Sequence, residues 1–220
     1  MSADSAIKLR VQTLAITAGP LCLCENLTFE LKAKEGLILR GANGSGKTTL
    51  LRTIAGFNAA VQGQISLEAN DKSDDIQLIN NCHYFGHKNA LKPAHSVRKN
   101  LEFFARFNGA SLAKIDKVAS DLDLHPLLDL PVHVLSAGQT RRAAFARLLI
   151  APRAVWLLDE PTAALDTRAA ELIAQHCEAH LRAGGIVIAA THLPFLDSYK
   201  QSRVLNVSDY APRFAEETLS

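Results

Sequence analysis

The 220-residue chain reads as an α/β domain with a helical subdomain inserted in its core. Three stretches carry that reading. The apolar run Gly36–Arg40 passes through a glycine-rich turn into residues 48–55, which have helical character. A second apolar run, 154–158, stops at two acids, Asp159 and Glu160. Between these runs, residues 97–108 and 112–121 read as helices that interrupt an otherwise alternating order of strands and helices.

The elements follow in order. Residues 7–14 alternate enough for a strand, and Gly19-Pro20 breaks it. Residues 26–32 alternate again, with Leu27, Phe29 and Leu31 on one face. After the glycine turn, 64–68 is a short strand and 69–75 a charged, solvated turn. Residues 83–85 form a strand that runs into a loop over 86–94. Ser96 caps the helix 97–108, which Gly109 ends, and Ser111 caps the helix 112–121. On the first of these, Val97, Leu101, Phe104 and Ala105 make a core face that Phe103 and Phe107 widen. That extra width serves either packing inside the helical subdomain or a groove for a partner helix. Residues 139–150 form an amphipathic helix that opens with Arg141 and Arg142 in solvent. The strand 154–158, a helix 167–182 closed by Gly184-Gly185, the buried strand Ile186–Ala190 and a last strand over 203–207 complete a single domain, 1–220. The helical subdomain occupies about 94–138.

Composition narrows the function. Hydrophobic content of 48% and charged content of 21% are ordinary for a globular protein with a sizeable core. A net charge of +2 gives no argument for a nucleic-acid partner. No apolar run approaches the length of a membrane span, and residues 1–5 do not resemble a secretory signal, so a cytosolic location is expected. Four irregularly spaced cysteines fit a reducing compartment. His176, Cys177 and His180 share a helix face, but no fourth metal ligand is apparent and an exposed face is the simpler account.

The chemistry centres on Gly41-Ala42-Asn43-Gly44-Ser45-Gly46-Lys47-Thr48, followed by Thr49. The pattern G-x-x-x-x-G-K-T between a strand and a helix is the phosphate-binding P-loop. Glycines allow the backbone to curl so that successive N–H groups face one hollow at a helix N-terminus. Lys47 reaches the β- and γ-phosphates, and Thr48 offers its hydroxyl to Mg²⁺. Asp159, at a buried strand end, suits the same Mg²⁺, and Glu160 beside it suits a general base toward an attacking water. Leu135-Ser136-Ala137-Gly138-Gln139 precedes a helix and offers a second anion site, or an ordinary N-cap.

These motifs, in this order, resemble the nucleotide-binding domains of ABC transporters. L-S-x-G-Q resembles the family signature, Ala164-Leu165-Asp166 its D-loop, and Thr191-His192 its switch histidine. The resemblance implies ATP with Mg²⁺ as cofactor, and two subunits sandwiching two ATP. The signature residues Leu135 to Gln139 would act in trans on the partner's nucleotide, and Asp166 would sit in the D-loop. Lys47, Thr48 and Asp159 would bind ATP–Mg²⁺, Glu160 would act as general base, and His192 would sense the γ-phosphate. Phe85-Gly86-His87-Lys88, the continuation to Arg142, and 184–188 with Thr191-His192 further resemble the ATP-binding subunits of the haem exporter of cytochrome c maturation. That implies a haem-transporting ATPase on the cytoplasmic face of the bacterial inner membrane, with CcmB- and CcmC-like membrane subunits. A subunit exporting another cargo would carry the same residues, because the membrane subunit chooses cargo. A soluble ABC protein would instead carry two cassettes or a long coiled-coil insertion.

Two departures from the family stand out. Residues 15–19 offer no aromatic to stack on adenine. His87 stands at the Q-loop position, where glutamine is usual. Mg²⁺ prefers oxygen to an imidazole nitrogen, so His87 is expected to meet the site through a water or to swing aside.

Overall fold

A computed structural model of the chain describes residues 7–69, 72–75 (backbone only) and 77–212. β1 (Ile7–Ala18) and β2 (Leu21–Lys32) form an antiparallel hairpin turned by Gly19-Pro20. Both strands run further than their alternation predicts. Thr13 and Asn26 take φ of 44° and 56°, and the register shifts between Val11 and Leu14. Such bulges break the period-2 pattern while pairing continues beyond them.

β3 (Gly36–Arg40) leads through the P-loop into α1 (Lys47–Ile54). β4 (Gln62–Ala69) then pairs with β5 (Lys72–Asp75), so most of the predicted charged turn over 69–75 is a hairpin strand. Asn70 and Asp71 lie outside the described residues. The short α2 (Leu78–Asn81) precedes β6 (Cys82–Phe85). α3 (Val97–Phe107) starts at Ser96, whose Oγ accepts from the Lys99 N–H as expected. α4 (Lys114–Asp121) starts later than predicted, because Ser111 Oγ closes a separate turn on Ala113 N–H. α5 (Ala137–Ile150), β7 (Val155–Asp159), α6 (Thr167–Arg182), β8 (Ile186–Ala190) and β9 (Ser202–Asn206) follow.

Two sheets result. One is antiparallel, in the order β2-β1-β4-β5, and the other is parallel, in the order β6-β7-β8-β3-β9. β7 and β8 are buried along their whole length, which explains the unbroken apolar runs 155–158 and 186–190. Leu37, Leu39, Leu157 and Ile188 point to the core shared with α1 and the antiparallel sheet. Ile38, Trp156, Leu158 and Val187 point to the core shared with α3, α4, α5 and α6. The parallel strands therefore end together, and the P-loop, Glu160 and His192 all leave from their carboxyl ends, where open α/β sheets bind ligands.

α5 is not amphipathic. It packs among α3, α4 and α6, and its buried residues surround it. Arg141 is 5% exposed, and Arg142 donates to Leu122 O at 2.7 Å, so neither arginine is the solvated residue the sequence predicts. On α6 the expected exposed histidine face is packed as well. His180 stacks flat on Trp156 at 4.0 Å, Nε2 donating to Ala154 O, and Cys177 is fully buried. Gly185 makes that possible, since a Cβ there would lie 2.1 Å from His180 Nε2. Among the described residues no cluster of three or more His, Cys, Asp or Glu can hold a metal, and no helix is long and apolar enough to cross a membrane.

Candidate active site

The P-loop wraps the start of α1. Gly41, Gly44 and Gly46 have φ of 136°, 82° and 97°, conformations that L side chains rarely adopt. A Cβ at Gly41 would lie 2.7 Å from Ser45 Oγ. α1 has no side-chain cap, so its first N–H groups are left for a bound anion. Burial of Leu50, Leu51 and Ile54, worth roughly 2 kcal/mol each, holds the helix without that cap. Lys47 Nζ folds over the loop, donating to Gly41 O at 2.8 Å and Ala42 O at 2.9 Å. Burial lowers its pKa, while Glu160 and Asp159 pull it back up. Ser45 Oγ is buried without a partner among the described residues. An uncapped helix start, a buried ammonium and an orphan hydroxyl fit a polyphosphate.

The carboxylates close the hollow. Thr48 Oγ1 donates to Asp159 Oδ1 and Oδ2 at 3.1 and 3.0 Å. This all-oxygen pair is the donor set a hard Mg²⁺ prefers. Tyr84 also donates to Asp159 Oδ2, at 3.4 Å, and burial pushes its phenol up to about 12. Glu160 sits one residue beyond, with φ of 47°. Its carboxylate lies 3.9 Å from His192 Nε2. Arg40 donates to Thr191 O, and to Leu193 O at 2.9 Å, and so brackets His192 from both sides. Ala18, Leu21 and Leu23 supply the apolar wall of this hollow of about 530 Å³. β2 thus presents leucines in the place where the sequence offered no aromatic.

The signature residues are elsewhere. Ser136 caps α5, its Oγ accepting from Gln139 N–H at 3.2 Å while Gln139 Oε1 accepts from Ser136 N–H at 2.9 Å. Leu135 precedes this box and Ala137 lies within it. Gly138 lies against the turn before α6, where a Cβ would be 3.1 Å from Ala164 O. Asp166 caps α6 through Ala169 N–H at 2.8 Å. None of residues 135–139 lines the hollow of their own chain's P-loop. His87 is exposed on a neighbouring cleft that also reaches Thr48 and Asp159. A further cleft of about 720 Å³ runs along α3, where Phe103 and Phe107 are 61% and 79% exposed and stack on each other.

A parallel sheet ending in a P-loop, with Thr48, Asp159 and Glu160 at its mouth, defines a P-loop nucleotide-binding ATPase. The ABC transporter family model matches residues 24–163, and the chain belongs to that family of ATP-binding proteins. Two similar relatives are cytochrome c biogenesis ATP-binding export proteins CcmA. The one from Rhizobium johnstonii is 41% identical over 207 residues, covering 92% of this chain and 95% of its own. The one from Agrobacterium fabrum is 42% identical over 190 residues, covering 84% and 89%. Among solved structures, an ABC transporter ATP-binding protein from Pyrococcus furiosus superposes with a TM-score of 0.80 at 22% identity, over 93% of this chain and all of that one. An ATP-binding subunit of an ABC transporter gives 0.78 at 20%, over 91% and 86%.

Proposed function

We propose that the chain is the ATP-hydrolysing subunit of an exporter complex that powers haem export or delivery for cytochrome c maturation. The convergence of Thr48, Asp159 and Glu160 at the P-loop mouth carries the ATPase reading. The biological role rests on the likeness to the CcmA relatives.

In this reading the β- and γ-phosphates lie in the hollow of Gly41 to Thr49, held by backbone N–H groups and Lys47. Thr48 and Asp159 hold Mg²⁺, which neutralises phosphate charge when bound. Glu160 takes a proton from a water as its oxygen bonds to the γ-phosphorus, and the bond to the ADP oxygen breaks. His192 donates to the γ-phosphate. Two copies pair head to tail, so that Ser136 and Gly138 of one complete the site of the other. This pairing gives a use to a signature that lies outside its own chain's hollow. The helical subdomain, about 94–138, carries the exposed Phe103 and Phe107, which suit a helix of a CcmB- or CcmC-like membrane subunit. The complex would sit on the cytoplasmic face of the inner membrane, with this chain peripheral to it.

The test is complementation. Bacteria lacking the native subunit receive the wild-type chain or Glu160→Gln at equal levels, and covalently haem-bearing c-type cytochromes are measured. The wild-type chain should restore them and the variant should not. Normal cytochrome levels with no complementing chain would refute the role.

A further inference from the structure

Glu160 keeps a backbone conformation that a non-glycine residue holds only when its surroundings fix it. Three hydrogen bonds do this, one of them from the Ala163 N–H to the Glu160 carbonyl at 3.2 Å. The Glu160 N–H donates to Ala190 O at 2.8 Å. Its carbonyl accepts from Arg141 Nη2 at 2.7 Å, and the same nitrogen donates to Asp159 O at 2.8 Å. The other arm of the guanidinium points away from the carboxylates. Nη1 donates to Gly86 O at 2.7 Å and to Asn89 Oδ1 at 3.1 Å, with His87 O at 3.5 Å. The flat cation lies on Phe85, 3.9 Å from the ring centroid.

Every one of these acceptors is neutral, and Arg141 is almost wholly buried. Burying a cation without a paired carboxylate is costly, and simple packing of α5 does not call for it. Burial lowers its pKa to about 10, with Asp159 and Glu160 opposing the shift, so the group stays charged at neutral pH. A planar fork can grip two segments at once, which a lysine ammonium cannot do with the same rigidity.

We propose that Arg141 is a positioning residue that couples the Gly86–Asn89 segment to the catalytic glutamate. Gly86 and His87 line the cleft that reaches Thr48 and Asp159, and this cleft shares Ala90 and Arg147 with the separate α3 cleft that bears Phe103 and Phe107. A shift of this segment moves Nη1, and the rigid fork carries the motion through Nη2 to the Glu160 peptide. The carboxylate then turns into or out of line with the attacking water. The inference rests on the reading of Glu160 as general base. It adds that the base is aimed by the segment holding His87, through the helix that bears the signature.

The test is a double-mutant cycle in the complex purified with its membrane subunits, reading ATP affinity and single-turnover hydrolysis separately. Arg141→Lys should leave the Kd for ATP within about threefold and lower the hydrolysis rate by about tenfold or more. In a Glu160→Gln background the same substitution should lower the residual rate by less than about twofold, because there is no base left to aim. Equal fold-losses in the two backgrounds, or a wild-type rate in Arg141→Lys, would overturn the proposal. Asn89→Ala removes one Nη1 acceptor while sparing the buried cation, and covers the case in which Arg141→Lys does not fold. It should cost about two- to fivefold in rate at unchanged Kd, and an unchanged rate would overturn the coupling. If Glu160→Gln alone turns over like the wild type, the base assignment fails, whatever Arg141 does.

Discussion

Glu160 and Lys47 sit in one hollow, yet their loss should be felt in different constants. Glu160→Gln is expected to bind ATP normally and to hydrolyse it slower by about a hundredfold or more, since only the proton acceptor is gone. Lys47→Ala should instead raise the Kd for ATP. Equilibrium binding beside single-turnover hydrolysis separates the two. In the apolar wall of the hollow, Leu21 is 55% exposed and would offer a nucleobase dispersion without a ring to stack. Leu21→Tyr should tighten ATP binding by about threefold or more, and unchanged affinity would place the base elsewhere. The P-loop and the two acids were legible in the sequence because each is a consecutive run. Arg141 was not. Its partner Gly86 is 55 positions away, and two adjacent arginines at a helix start look like solvent residues until the packing of α5 surrounds them. Tyr84, 75 positions from Asp159, escaped for the same reason, and Leu21 because a leucine in an alternating strand has no signal of its own.

Among the elements, α3 carries the clearest unpartnered surface. Val97, Leu101 and Ala105 are fully buried, while Phe103 and Phe107 stack in solvent beside the cleft. The sequence left open whether the two phenylalanines pack inside the helical part, and their exposure removes that account. Phe103→Ser and Phe107→Ser should keep the melting temperature and lose co-purification with the membrane subunit. A fall in melting temperature with binding retained would return both residues to a structural role. The hairpin of β1 and β2 shows what periodicity misses. Bulges at Thr13 and Asn26 reverse the inward and outward phase, so pattern reading ends a strand where the hydrogen-bonded ladder only bends.

At the scale of the whole molecule, two histidines make stability depend on pH. Burial lowers His83 and His180 to about 4, His83 donating from Nε2 to Ala151 O at 2.5 Å and His180 lying on Trp156. Both stay neutral in the folded chain down to that pH, whereas the unfolded chain protonates them near the ordinary histidine value of about 6.5. Their contribution is therefore complete above neutrality and is lost as the pH falls from about 6.5 toward 4. Each pH unit in that window costs about 1.4 kcal/mol per histidine, so the pair should lower stability by about 4 kcal/mol at pH 5. Urea unfolding followed by the fluorescence of Trp156, the single tryptophan of the chain, reads this directly. Equal stability at pH 7.5 and pH 5 would mean the histidines are not buried as described. At the same scale, the signature residues 135–139 do not line the hollow that holds their own chain's P-loop.

The central claim, an ATPase whose sites are each completed by a second copy, is tested most directly by mixing two inactive subunits in the assembled complex. One carries Lys47→Ala and the other Gly138→Asp, and steady-state ATP hydrolysis is measured for each alone and for the mixture. Each alone should be inactive, while the mixed dimer contains one site with an intact P-loop from one subunit and an intact signature from the other. Activity should therefore reappear on mixing. A mixture as inactive as its parents, with mixed dimers shown to form, would contradict the account.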